Sequence, residues 1–309
     1  MESNRRKFIK NSVLASATLA LPTILIASSN SKEIKSLTIL HTNDVHSRLE
    51  PFPMDGSNNA GLGGVAARAN VIKQIRNEEQ NVLLLDAGDI FQGTPYFNLY
   101  KGEPEIKAMT MLGYDAATIG NHDFDGGIDN FAKQLQHANF SIINCNYDFT
   151  NTSLHNKVQP YKIFEKGGLR IGVLGVGVEL QGLVPDNLYG NTVYNEPITK
   201  ANEIASQLRK EGCDLIICLS HLGDKYEDAK VSDEILAKQS FDIDLIIGGH
   251  THRLFPQPRK YNNKTGSDVL VNQMGWAGMH LGRLDYNFYG KRKKKMSKAH
   301  TVILSKKTN

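Results

Sequence analysis

Thiol chemistry is nearly absent from this chain. It has three cysteines in 309 residues, Cys145, Cys213 and Cys218, and no CxxC pair. An odd, dispersed set gives no disulfide framework and no structural thiolate zinc site. Cys213 and Cys218 flank the apolar run Leu215-Ile216-Ile217 and read as small core residues. A broad basic surface is lacking too. The formal net charge is +4, and Arg5, Arg6, Lys7 and Lys10 against Glu2 account for three of it. The run Lys291-Arg292-Lys293-Lys294-Lys295 alone carries +5, so the rest of the body is mildly acidic. That excludes the footprint of a duplex nucleic-acid binder. The run falls between two strand patterns and reads as a solvated hairpin tip. There is no internal repeat, low-complexity tract or linker. With 40% hydrophobic and 22% charged residues, the chain fits a globular protein with a full core, most simply one domain.

Residues 1–30 read as a targeting segment rather than structure. Asn4-Arg5-Arg6-Lys7-Phe8-Ile9-Lys10 precedes an apolar stretch from Val13 to Ala27. The paired arginines resemble a twin-arginine export signal. An ordinary secretory signal and a retained anchor are the alternatives, although the apolar stretch is short for a membrane span. No cysteine lies nearby, which argues against lipoprotein processing. The expected location is periplasmic or otherwise exported from a bacterium, with membrane contact only through this segment.

From Ser36 onward, strand and helix patterns alternate. Apolar runs at Leu37–Leu40, Val82–Leu85, Ala116–Ile119, Ser141–Asn144, Arg170–Val178, Asp214–Leu219 and Ile243–Ile247 read as strands. Helical patterns lie at Gly63–Arg76, from Pro104 to Gly113, at Ile128–Ala138, Ile198–Lys210 and Ser232–Ser240. The end differs: Asp268–Val271, Leu281–Tyr289 and Ala299–Leu304 read as strands without intervening helices. This order implies an α/β fold of two sheets packed together with helices outside.

Five segments carry acid, amide and imidazole groups at strand exits. They are Asp44-Val45-His46, Gly88-Asp89, Gly120-Asn121-His122-Asp123, Ser220-His221 and Gly248-Gly249-His250-Thr251-His252. In open α/β sheets, chemistry gathers beyond the carboxyl ends of the strands. Each piece alone is weak: a lone Asp-x-His or Gly-Asp is common, and a Gly-His-Thr-His loop often holds satisfied histidines. Five together are a different matter. Asp44 and His46 are two apart, so an extended backbone would point both the same way, and His250 and His252 repeat that spacing. Seven donors result: Asp44, His46, Asp89, Asn121, His221, His250 and His252. Oxygen and nitrogen donors suit Zn, Mn, Fe or Co. With Asp89 bridging, two ions ~3.5–4 Å apart could clamp a phosphoryl group. Asp86 reads as a partner for loop amides. Gly61-Leu62-Gly63-Gly64 reads as a helix start, and Tyr96, Phe97 and Trp276 are candidates for a substrate mouth.

These segments resemble the five-part signature of the calcineurin-like metallophosphoesterases. Leu40-His41-Thr42-Asn43-Asp44-Val45-His46, Asp86-Ala87-Gly88-Asp89-x-x-Gln92-Gly93, Gly120-Asn121-His122-Asp123-Phe124-Asp125 and Leu281-Gly282-Arg283-Leu284-Asp285 are similar to the 5′-nucleotidase branch. The resemblance runs from about Leu37 to Leu304. It implies a four-layer α-β-β-α sandwich with two divalent ions. One ion is expected on Asp44, His46, Asp89 and His252, the other on Asp89, Asn121, His221 and His250. It also implies that His122 contacts the phosphate, that Asp125 orients His122, and that a metal-held hydroxide attacks. The implied substrate is a small phosphorylated molecule, most simply a nucleotide. Full-length 5′-nucleotidases carry a further C-terminal domain that reads the nucleoside. The expectation here is a catalytic domain over 31–309 without that domain. Three explanations stay open: a separate chain supplies it, the domain acts alone on simpler phosphate esters, or the substrate is a phosphodiester or sulfur ester. A non-catalytic metal- or solute-binding module is the reading from a different class, and the paired His122 and Asp125 argue against it.

Overall fold

The computed structural model describes residues 34–290 and 293–305. The targeting reading of residues 1–30 lies outside the described residues, as do Lys291 and Arg292. Apolar runs long enough to be buried on both faces build the centre of two sheets. The first sheet contains β1 (Lys35–Thr42), β2 (Val82–Asp86), β3 (Ala116–Ala117), β4 (Ser141–Ile143), β6 (Val158–Gln159), β14 (His280–Phe288) and β15 (Lys294–Ile303). Its spatial order is β15-β14-β1-β2-β3-β4-β6. The second contains β7 (Tyr161–Lys166), β8 (Leu169–Gly177), β10 (Leu215–His221), β11 (Leu245–Gly248), β12 (Arg259–Asn262) and β13 (Asp268–Asn272). Its order is β12-β13-β11-β10-β8-β7. A two-stranded ribbon pairs β5 (Tyr147–Asp148) with β9 (Val193–Tyr194).

Side chains on these strands alternate between two cores, as a pleated backbone requires. Ile39, Leu83, Leu85, Leu215, Ile217, Leu219, Leu245 and Ile247 meet between the sheets. Their neighbours Leu40 and Leu84 face the other way, onto α1 (Val65–Glu78), α3 (Glu103–Leu112) and α4 (Ile128–Gln134). In the second sheet Ile216, Cys218 and Ile246 turn outward onto α6 (Pro197–Lys210) and α7 (Asp233–Gln239). The short helices α2 (Pro95–Tyr100) and α5 (Asp186–Tyr189) complete the set. The result is the four-layer α-β-β-α arrangement expected from the sequence. Cys213 and Cys218 lie in the outer core as small apolar residues.

Local chemistry sets the helix limits. Pro104 sits in the first turn of α3, where its missing N–H costs nothing, and Gly113 ends the helix at φ 70°. Gly64, not a phosphate loop, precedes α1. The Ser232 hydroxyl accepts from Ile235 N to cap α7. The described part of the basic run sits at a hairpin tip, as its reading as a solvated tip expected, with Lys293 and Lys295 exposed and Lys294 the departure. Tyr289 N and Lys293 N close the turn, but Lys294 folds back to 2.8 Å from Asp244, with only 14% of its side chain exposed. Among the described residues, no helix is long and apolar enough to cross a membrane.

Candidate metal centre

The strands β1, β2 and β3 run parallel in one sheet, and β10 and β11 run parallel in the other. Within each sheet the expected segments leave at one end, and contacts between the sheets, such as His221 Nδ1 with Ala87 O at 2.7 Å, bring all five together. Beyond β1 and β2 the two chains stay paired: Asp44 N donates to Gly88 O at 2.9 Å, and His46 N donates to Asp89 O at 3.0 Å. Across the sheets, His250 N donates to Asp44 Oδ1 at 2.9 Å.

The backbone reaches this arrangement by a route other than the extended one expected. Asp44, His46, Asp89, His250 and His252 have φ of 50°, 51°, 56°, 68° and 53°. All five are left-handed, a conformation costing about 1–3 kcal/mol at a non-glycine residue. The side chains converge because tight left-handed turns aim them at one point, not because alternate residues of a strand share a face. Close approach also demands glycine. A Cβ on Gly120 would lie 2.1 Å from Asp89 Oδ1, and one on Gly249 would lie 2.9 Å from both Ala87 O and His221 Nδ1.

Two donor groups share Asp89. Ligand atoms of Asp44, His46, Asp89 and His252 all lie within 4.8 Å of one another, and so do those of Asp89, His221 and His250. His46 Nε2 is 3.0 Å from His252 Nε2 and 3.7 Å from Asp89 Oδ2. His252 Nε2 is 3.3 Å from Asp44 Oδ1. His221 Nε2 is 3.0 Å from Asp89 Oδ2. Asn121, 4% exposed, immediately precedes His122, whose backbone N donates to Asp89 Oδ1 at 2.8 Å, and the buried Oδ1 of Asn121 has no hydrogen-bond partner.

The imidazoles are tied from behind. His221 Nδ1 is 2.7 Å from Ala87 O, and His46 Nδ1 is 3.2 Å from Phe91 O. A carbonyl can only accept, so each Nδ1 carries a proton and each Nε2 is the atom turned toward the centre, a donor while the ring is protonated and a lone pair once that proton leaves. Ring nitrogens and carboxylate oxygens thus crowd together, which is the donor set of a cation site. Titration expresses the same field. Burial alone would lower the His221 pKa, but Asp89 beside it and Asp44 outweigh burial and push it up to about 10. Burial would raise Asp89, but His221 and His46 hold it below the usual carboxylate range. His250 goes down to about 4, chiefly by burial and then by His221.

His122 stands apart from these donors. Its ring meets His46 edge-on at 5.3 Å, and its Nδ1 is 2.8 Å from Asp125 Oδ2. The side chain is 42% exposed. The hydrogen bond to Asp125 is the main cause of a raised pKa, with burial opposing it. Asp86 does what its sequence position suggested: its carboxylate accepts from Gly88 N at 2.9 Å and from Thr42 Oγ1 at 2.5 Å. Of the mouth candidates, Phe97 is core at 3% exposure. Tyr96 is half-buried, and its hydroxyl lies 3.5 Å from Glu50. Trp276 lies against His252.

Several supports were not singled out from sequence. Asp123 accepts from the backbone N–H groups of Ile90 and Phe91 on one oxygen and from Asp89 and Gly120 on the other. It staples the Asp89 loop to the Asn121 loop. Its place in Gly120-Asn121-His122-Asp123 was the available signal. Asn43 donates to Asp44 Oδ2 at 2.6 Å and to Gly275 O at 2.7 Å, and accepts from Met274 N at 2.8 Å. Gln273 has no motif of its own.

Residues 37–254 match the family model described as calcineurin-like phosphoesterase. The chain is 34% identical over 284 residues to a 5′-nucleotidase of Vibrio parahaemolyticus, a match covering 84% of this chain and 49% of that protein. It is 32% identical over 290 residues to a snake venom 5′-nucleotidase of Gloydius brevicauda, covering 87% and 48%. Among solved structures, a 5′-nucleotidase precursor from Thermus thermophilus superposes with a TM-score of 0.77 at 33% identity, covering 88% of this chain and 55% of that one. The chain spans about half the length of the curated relatives it matches.

Proposed function

This chain belongs to the calcineurin-like phosphoesterase family, and we propose that it is a dinuclear phosphomonoesterase of the 5′-nucleotidase type. The observation that carries the reading is the shared carboxylate: Asp89 belongs to both donor groups, one with Asp44, His46 and His252, the other with His221 and His250. Asn121 joins the second group in this proposal, because its buried oxygen lacks any other partner. Two divalent ions on such donors polarise a phosphoryl oxygen and lower the pKa of water toward neutrality.

The chain's own residues do the rest. Anchoring of His46 and His221 through Nδ1 keeps their Nε2 atoms facing inward. His122 is the catalytic residue of this proposal. Asp125 fixes its tautomer and favours the cation, so Nε2–H donates to a phosphate oxygen and opposes the charge gathering there. A nucleotide is the proposed substrate, supported by the names of the relatives. Export is part of the same proposal and rests on Arg5-Arg6 and the apolar stretch behind them.

The test is hydrolysis by purified protein supplied with Mn, Co or Zn, on p-nitrophenyl phosphate, bis-p-nitrophenyl phosphate and AMP. Turnover of AMP and p-nitrophenyl phosphate supports the reading. Preference for the diester redirects it to a phosphodiesterase. Two bound ions without hydrolysis of any of the three would sink it.

A further inference from the structure

The loop bearing His250 and His252 holds two left-handed residues on either side of Thr251. Something outside the loop has to fix that shape. Gln273 lies one residue past β13 and is fully buried. Its Nε2 donates to Gly249 O at 2.5 Å. Its Oε1 accepts from Thr251 Oγ1 at 3.1 Å and from Arg253 N. One amide thus grips the residue before His250, the residue between the histidines, and the residue after His252.

We infer that Gln273 is a positioning residue for the metal centre, a buried clamp that sets His250 and His252 toward separate ions. The inference rests on the dinuclear reading above. An amide suits the place because it donates and accepts at once, and the loop presents one carbonyl and two donors to it. The clamp is anchored on its far side as well. Asn43 binds Met274 N and Gly275 O, just after Gln273 in the chain, and also the carboxylate of Asp44. The segment 273–275 therefore ties donors from both sheets to one another. Thr251 has a second tether, accepting from Asp224 N at 3.0 Å.

Gln273→Met keeps the length of the side chain and removes all three hydrogen bonds. Thr251→Val removes one of these three, together with the bond from Asp224 N, and leaves Gln273 in place. Each full-length variant is titrated with Mn²⁺ and the bound metal measured after equilibrium dialysis, beside far-UV circular dichroism and melting temperature. The expected result is about tenfold or more loss of metal affinity in Gln273→Met with the dichroism spectrum retained, and a smaller loss in Thr251→Val. A filler without a positioning role lowers the melting temperature and leaves affinity alone. Affinity within about twofold of wild type in folded Gln273→Met overturns the inference. If Gln273→Met does not fold, Gln273→Asn, which keeps the amide but draws it back from the loop by one methylene and leaves the Asp224 tether intact, decides: about threefold weakening supports the inference, and unchanged affinity overturns it. A wild-type protein that binds no metal overturns the dinuclear reading, and this inference with it.

Discussion

The Trp276 indole lies within 6° of parallel to the His252 imidazole, with ring centroids 5.8 Å apart. Phe52 meets the indole edge-on at 5.8 Å, and the Arg48 guanidinium lies 4.1 Å over Phe52. This row fixes the plane of a histidine whose side chain is 39% exposed. Trp276 is also the only tryptophan in the chain, so its emission reports on one place. Titration with Mn²⁺ or Co²⁺ is expected to quench it saturably, and His252→Ala is expected to remove most of the response. Fluorescence unchanged by saturating metal would contradict ligation by His252.

Under the proposed function, variants of His122 and Asp125 separate chemistry from metal binding. His122→Ala is expected to lower kcat about 10²–10³-fold, the usual range for loss of one donor aimed at developing charge, with metal content nearly unchanged. Asp125→Asn keeps the ring in place but weakens control of its tautomer, and a loss of about 10–100-fold is expected. Metal content by mass spectrometry beside steady-state rates checks both. Parallel loss of metal in His122→Ala would make it a ligand.

Much of the scaffold was legible because it is written in long apolar runs. Val82–Leu85 and Leu215–Leu219 are too short for a typical helix and read as buried strands, and the residues directly after each run fall at the sheet end. The helix opened by Pro104 and closed by Gly113 was equally plain. By contrast, β5, β6 and β9 have two residues each and are held by their neighbours, not by a pattern of their own, and β3 keeps only Ala116–Ala117 of the run read as a strand over Ala116–Ile119. The donor residues were recognisable by chemical type and spacing. Their left-handed backbone was not, because the several-fold preference of Asp and His for that region is too weak to mark particular positions such as Asp44 and His46. Asp123 and Gln273 act through contacts distant in sequence, which spacing does not reveal.

His41 gives the fold an acid-sensitive component. It is fully buried, its Nε2 lies 3.2 Å from Asn272, and the ring packs against Gly282. Burial pushes its pKa down to about 3. In the unfolded chain it titrates near about 6.5. Below that pH the unfolded state binds a proton that the folded state refuses. The contribution of His41 to stability is therefore full above about pH 6.5 and is lost as pH falls toward about 3. His41→Gln is expected to reduce proton uptake on unfolding by about one between about pH 4 and 6, measured by urea denaturation across that range. An unchanged pH slope would place the acid sensitivity elsewhere.

The shared carboxylate is the centre of the account. Asp89 is 1% exposed, lies 3.0 Å from His221 Nε2 and 3.7 Å from His46 Nε2, and belongs to both donor groups. The most direct measurement is metal stoichiometry per chain in wild-type protein and in Asp89→Ala. Two equivalents in the wild type and loss of both in the variant are predicted. Retention of one full, tightly bound equivalent in Asp89→Ala would contradict the bridge.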